Sequence, residues 1–559
     1  MINERPFLLL LCIVLLWGCG IEKNDPNSMV VSAHPAATKI GVEILKKGGN
    51  AIDASVAVEF ALAVCYHSAG NIGGGGFMVY RNSSDSVFAL DYRETAPKQA
   101  TKDMFLDEKG NIISRLSLDG GLSVGVPGSV DGIFEKHRRF GSLPMEALIQ
   151  PAIDLAKNGF RITQKQAKRF NANREKFDQI NPDNNYLREK KKWKKGDVLI
   201  QEDLANTLGL IKSKGRDGFY KGSVAQSIIK SVVSSGGRIT LEDLKEYRSV
   251  WRQPIEIDFK GYRIVSMPPP SSGGVVLGQI LGMLEDADFS SIKRNSVEYV
   301  HLLSEAEKRC YADRNTYLGD PDFWENPVDD LLDRSYLKRR FQDFDPNIAC
   351  KSSTINPGKL KVESEETTHF SIVDKDGNAV SVTTTLNSSY GSKLFVDGCG
   401  FLLNNEMDDF SSKPGEPNQY GLIGGIANSI APQKRMLSSM TPSIVCKDGE
   451  LIQVVGSPGG STIITSTLQN ILNVIVYNLS MQESVNSPRF HHQWMPEQIF
   501  VEEQMWDSLV LDSLQRMGHK IKERSPIGRV DAIRVFQDGS VQGGADPRGD
   551  DCKMGIFVE

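Results

Sequence analysis

Residues 367–385, TTHFSIVDKDGNAVSVTTT, admit few folds. The stretch alternates polar and apolar residues, turns at Asp374-Lys-Asp-Gly377, and alternates again. Period-two alternation around such a turn predicts a β-hairpin with a buried face. Counted from a four-residue turn, Val373 falls opposite Asn378. Thr367 then falls opposite Thr384, next to Thr385, to within one residue of register. The hairpin thus brings two threonine hydroxyls to one end of a sheet. It also begins abruptly. The stretch before it, 341–366, is polar with little to bury, which predicts a mobile segment.

A threonine hydroxyl is a poor nucleophile until a base takes its proton. An α-amino group titrates near neutral pH and serves as that base when the threonine is an N-terminus. Thr367 becomes one if the Glu366–Thr367 bond breaks, and its own hydroxyl can attack the preceding carbonyl to break it. An acyl-transfer nucleophile also needs donors for a developing oxyanion. LIQVVGSPGGSTIITSTLQNILNVI (451–475) reads as a buried strand, a glycine turn and a helix. Its turn amides sit at a helix N-terminus, which favours negative charge. Gly459 and Gly460 let a substrate approach the backbone closely.

The chain of 559 residues, 40% apolar and 24% charged, is long enough for a large layered core. Its net charge of −5 argues against nucleic acid as a partner. The basic run Arg188–Lys195 reads as a solvated surface. Helical spacing appears over 36–47, 51–64, 296–320 and after SPGGS, and a Pro/Gly turn opens a helix within 267–285. The pattern is helix-rich to about residue 340 and strand-rich from 367. NIGGGGF (71–77) lacks the Lys-Ser/Thr and helix of a phosphate loop, so it reads as a place of close backbone approach.

The N-terminus reads as residues 1–18 of signal peptide and 19–28 of linker. Its apolar run Phe7–Trp17 is too short to span a bilayer and has signal-peptide proportions. The run ends at Cys19, as in a lipoprotein cleavage site, with Trp17 in the slot where a small residue is usual. The expectation is an exported protein: periplasmic, anchored to the outer membrane through lipid on Cys19, or secreted. Six further cysteines form no Cys-x-x-Cys pair, and no histidine spacing matches zinc, so no metal is expected. Disulfides stay open. HHQW (491–494) reads as a packed structural motif.

The chain resembles the γ-glutamyltransferases, which are N-terminal-nucleophile hydrolases. The likeness is carried by DYRETAP (91–97), SMPPPSSGG (266–274), ADRNTYLGDPDF (312–323), TTHFSIVDKDGNAVSVT (367–383), LNNEMDDF (403–410), PQKRMLSSMTPSI (432–444), GSPGGS (456–461) and SPRFHHQW (487–494). It implies an α+β fold, a four-layer αββα sandwich. It implies a precursor cut between Glu366 and Thr367 into a large subunit (29–366) and a small catalytic one (367–559). It makes Thr367 the nucleophile, with Thr385 hydrogen-bonded to it, and Gly459 and Gly460 the oxyanion donors. Arg93 and Ser438, with Ser439 beside them, would hold the substrate α-carboxylate. Asn387, Glu406 and Asp409 would hold its α-amino group. KPGEPNQYGLIGG (413–425) matches a lid loop in which Tyr420 would wall the pocket. Implied substrates are glutathione or other γ-glutamyl compounds, with water, amino acids or peptides as acceptors and no cofactor. Two alternatives remain: a cephalosporin or glutaryl acylase of the same fold, and a non-catalytic secreted binding protein.

Overall fold

The computed structural model describes residues 26–183, 190–355, 367–413, 425–524 and 526–557. Two antiparallel sheets stack at its centre. The seven-stranded sheet runs, edge to edge, Cys552–Ile556, Ser28–Ser32, Thr367–Val373, Ala379–Thr385, Gly75–Arg81, Val87–Asp91 and Val250–Arg252. The six-stranded sheet runs Val541–Gly544, Asp531–Val535, Glu450–Gly456, Ser443–Lys447, Tyr262–Ser266 and Ile255–Phe259.

Side-chain alternation builds the layers. Met29, Val31, Phe77 and Val79 point inward and meet Val265, Ile444, Val454 and Ile533 of the other sheet. Their neighbours Val30, Met78, Tyr80, Phe370 and Ile372 point outward into a helical layer that includes Pro35–Lys46 and Ala51–Cys65. Ile264, Val445 and Val455 point outward on the far side, into Gly273–Met283, Val297–Tyr317 and Thr462–Ile475. The result is helix, sheet, sheet, helix. The Ala51–Cys65 helix is buried on every side and starts at a capping box of Asn50 and Asp53, a device worth about 1 kcal/mol. Its Glu59 receives Lys136 Nζ at 2.5 Å in a fully buried pair.

Two expectations change. The hairpin register is one residue off the predicted one: Thr367 lies opposite Thr385, and Thr384 opposite Thr368. The Asp374 carboxylate accepts from the amides of Asp376 and Asn378 and from Asn378 Nδ2, which draws Asn378 into a five-residue loop. The helix-rich part before residue 340 also holds strands. The hairpin lies between Ser28–Ser32 and Gly75–Arg81, so the N-terminal part supplies strands on both its flanks. Finally, the described part of the polar stretch, 341–355, is anchored. Asp345 O binds His301 Nε2 at 2.8 Å, Ala349 N donates to Met517 O, and Ile355 is buried.

The glycine run is a place of close approach, as read. A Cβ at Gly74 would lie 2.0 Å from Thr385 O, and one at Gly76 2.6 Å from Thr383 O. Cys65, Cys310, Cys350, Cys399, Cys446 and Cys552 are free thiols. No helix among the described residues is long and apolar enough to cross a membrane.

Candidate active site

Thr367 opens its strand and is buried. It faces the inter-sheet layer, on the same side as Val373 and, across the hairpin, Ala379. That face is apolar at the turn and polar at the Thr367 end. There His369 Nδ1 lies 2.9 Å from Thr383 Oγ1, and Nε2 lies 3.1 Å from Ser371 Oγ. Ser371 Oγ gives its proton to Asp531 O, so His369 Nε2–H donates to Ser371 and Nδ1 accepts from Thr383. Burial pushes the His369 pKa down to about 3, which keeps the ring neutral. A Cβ at Gly456 would strike His369 Cε1 at 2.4 Å, so the glycine at that strand end makes room for the ring.

The strand Glu450–Gly456 delivers the glycine turn beside Thr367. Gly459 has φ +136° and Gly460 φ +58°, backbone that a Cβ would strain. A Cβ on Gly459 would also lie 2.5 Å from Thr462 Oγ1 and 3.1 Å from Gly528 Cα. The helix Thr462–Ile475 follows at once. Thr367 and Gly459 line one cavity of about 210 Å³.

The other predicted residues assemble on the opposite side of Thr385. Asn387, at φ +70°, donates its amide to Thr385 Oγ1 at 2.7 Å and its side chain to Asn405 O at 3.0 Å. Next to Asn405 comes Glu406, which pairs with Arg93 Nη1, while Asp409 pairs with Arg93 Nη2. Arg93 is only 1% exposed. It also donates to Met436 O and Leu437 O, directly before Ser438. Ser438 is held by the SMPPPSSGG segment: its amide donates to Pro270 O, and its carbonyl accepts from the amide and hydroxyl of Ser272. Ser439 Oγ accepts from Arg314 Nη2 at 3.1 Å, a residue of ADRNTYLGDPDF. Contacts between residues as far as 344 positions apart thus link Thr385 to Ser438 and Ser439.

Tyr420, Glu366 and Cys19 lie outside the described residues. Several neighbours escaped the sequence reading. Glu94 is fully buried beside Arg93, and burial holds its carboxyl above the usual carboxylate range against the pull of that guanidinium. Its position next to Arg93 in DYRETAP was the available signal. Arg314, Asn405 and His369 also lie within quoted motifs, but nothing in sequence shows what each would grip. His301, Glu305 and His519 also meet, yet Lys308 and Arg309 already pair with Glu305, which disfavours a cation there. In HHQW, His491 bonds Thr465 Oγ1 and Gln493, as a packed motif should.

A sequence model described as Gamma-glutamyltranspeptidase matches residues 37–556. The chain belongs to the gamma-glutamyltranspeptidase family. A relative from Escherichia coli (strain K12), named Glutathione hydrolase proenzyme, is 47% identical over 539 residues, 95% of this chain and 92% of its own. The Acylase ACY 1 proenzyme of Pseudomonas sp. (strain SE83) is 36% identical over 95% of this chain and 94% of its own. The crystal structure of cephalosporin acylase from Bacillus halodurans superposes with a TM-score of 0.84 at 26% identity, over 100% of this chain and 99% of the other. The gamma-glutamyltranspeptidase fold is therefore shared by glutathione hydrolases and acylases, and side chains must separate the two activities.

Proposed function

We propose that this chain is a proenzyme that cuts itself between Glu366 and Thr367 and then acts as a γ-glutamyltransferase and glutathione hydrolase. The observation that carries the reading is the Arg93–Glu406–Asp409 cluster, joined to Thr385 through Asn387. One cation and two acids, all buried, match the head group of an α-amino acid. On binding, the α-carboxylate takes the Arg93 fork and the α-ammonium takes Glu406 and Asp409, so buried charge stays paired throughout. Ser438 and Ser439 adjoin the carboxylate side, and the likeness of 413–425 to a lid loop would make Tyr420 part of the pocket wall. A head group fixed there leaves the γ-carbonyl of a glutamyl side chain to reach Thr367.

In maturation, Thr367 Oγ attacks the Glu366 carbonyl. The peptide C–N bond breaks, leaving an ester and a free α-amine, and water hydrolyses the ester to release Glu366 as a carboxylate. In turnover, that α-amine takes the Thr367 hydroxyl proton as Oγ bonds the γ-carbonyl carbon. The amides of Gly459 and Gly460 stabilise the oxyanion, and Thr385 orients the nucleophile. The amide C–N bond breaks, and the leaving amine receives the proton. Water, an amino acid or a peptide then resolves the γ-glutamyl ester. The hairpin's two flanking strands, Ser28–Ser32 and Gly75–Arg81, keep both products of the cut in one sheet. The large subunit would end at Glu366 and the small one run from 367 to 559. Residues 1–18 would direct export, with Cys19 as the lipid-bearing end.

The acylase relatives support a second reading, in which a glutaryl group replaces the glutamyl group. Glutaryl has no α-ammonium and would leave Glu406 and Asp409 without a cationic guest. Turnover of a γ-glutamyl anilide against a glutaryl anilide by the purified, processed protein separates the two. Preference for the glutaryl substrate would overturn the transferase reading, and an uncut chain inert to both would favour a binding protein.

A further inference from the structure

The cavity beside Thr367 has an unusual lining. Arg169, Arg524, Arg529 and Arg548 contribute to it, and among the described residues no carboxylate does. The acids stand behind. Arg548 is held from the rear by Glu502 and Asp546. Arg529 Nε faces Asp551 Oδ1 at 3.0 Å, and its Nη1 donates to the Tyr66 hydroxyl, which also accepts from Arg169. Arg529 Nη2 has no hydrogen-bond partner, although the residue is only 8% exposed. A buried guanidinium edge without an acceptor is costly. None of the head-group residues Arg93, Asn387, Glu406, Asp409, Ser438 or Ser439 lines this cavity. It is therefore a second compartment that shares only the nucleophile end of the site.

We propose that this compartment binds the carboxylate of the leaving or acceptor amino compound, with Arg529 as its main anchor and Arg169 and Arg524 in support. The inference rests on the acyl-transfer reading above and names what stands on the far side of the scissile bond. An acceptor must place a free amine at the acyl carbon on Thr367. If it is an α-amino acid or dipeptide, its carboxylate follows within one or two residues, a reach of up to about 7 Å. A cavity that opens on Thr367 and offers guanidinium groups suits such a carboxylate, since arginine forks onto carboxylates. An amidated acceptor has the same amine and loses the anion.

The test uses the processed wild-type protein with a γ-glutamyl anilide donor. The acceptors are alanine against alaninamide and glycylglycine against its amide, and the two pairs distinguish an amino-acid carboxylate from a dipeptide one. The expected kcat/KM ratio, acid over amide, is about 10-fold to 100-fold for at least one pair. Arg529→Gln should cut that ratio about 10-fold, Arg529→Lys less, and the more peripheral Arg524→Gln less again. A wild-type ratio near one, or a ratio unchanged in both Arg529→Gln and Arg524→Gln, overturns the proposal. If Arg529→Gln does not mature, Arg524→Gln and Arg169→Gln carry the same readout. Calorimetric titration of glycylglycine and its amide into the wild-type protein keeps the two readings apart. Carboxylate-dependent binding without donor turnover would sink the donor assignment and leave the compartment standing.

Discussion

The two sides of Thr367 are built on opposite plans. On the Thr385 side, one arginine meets two acids, and all three side chains are buried. On the glycine-turn side, four arginines line a cavity, and the acids that pair with Arg529 and Arg548 lie outside its lining. A buried, balanced cluster discriminates, because any guest lacking one of the two charges leaves a buried ion unpaired. A cationic cavity with room tolerates many guests that share a carboxylate. The difference suits a reaction with a fixed acyl group and a variable acceptor.

The harshest way to break this comparison is to remove its pivot. Thr367→Ala should lower turnover by about 10⁴-fold or more and leave the chain uncut. Mass spectrometry of the smaller band should find an N-terminus at Thr367 in the wild type alone. A wild-type chain that stays intact on prolonged incubation would count against the whole mechanism. Next comes the balanced side. Arg93→Ala strands two buried acids and should cost about 3–5 kcal/mol of stability, read by urea denaturation. Arg93→Lys keeps the charge without the fork. It should lower donor kcat/KM by about 10-fold to 100-fold, with less effect on stability. An equal loss of stability in both variants would make the cluster a structural strut. Gly459→Ala probes the boundary between the sides. Its φ of +136° penalises a Cβ by about 1–3 kcal/mol, so kcat should fall by about 10-fold to 100-fold if the oxyanion amides move with it.

The smallest effect comes from pH. Arginines do not titrate on either side, whereas His369, in the layer they share, does. Its pKa falls from 6.5 to about 3 on folding, because burial excludes the charged form. Between those values the unfolded chain binds a proton that the folded chain refuses. This contribution to stability is complete above pH 6.5 and is lost as pH falls toward 3, at about 1.4 kcal/mol per unit. From pH 6.5 to 5 the loss is about 2 kcal/mol, and His369→Asn should lack that share of it. Urea midpoints for the two proteins that fall in parallel would assign the acid sensitivity to other groups.

How much of this was legible beforehand varies by residue. TTHFSIVDKDGNAVSVTTT specified a hairpin and a threonine pair, since period-two alternation and a turn are local facts. It left the register one residue loose, because the turn alone could not reveal three hydrogen bonds to one Asp374 carboxylate. The motif order pointed to Arg93, Asn387, Glu406, Asp409, Ser438 and Ser439, and the structure links all six through one chain of contacts. Arg529 was illegible. It lies outside every quoted motif, and an arginine in a loop reads as surface.

The sequence by itself therefore determined the strand that begins at Thr367, the glycine turn, the helices and the family. Each follows from spacing within a few dozen residues or from ordered motifs. Only the tertiary structure decided that the N-terminal part would flank the hairpin on both sides, and that Gly459 would share a cavity with Thr367. Only it decided that arginines from residues 169 to 548 would meet at one cavity. Those facts depend on which faces the sheets bury against each other, and a pairing between residues hundreds of positions apart leaves no local period to read.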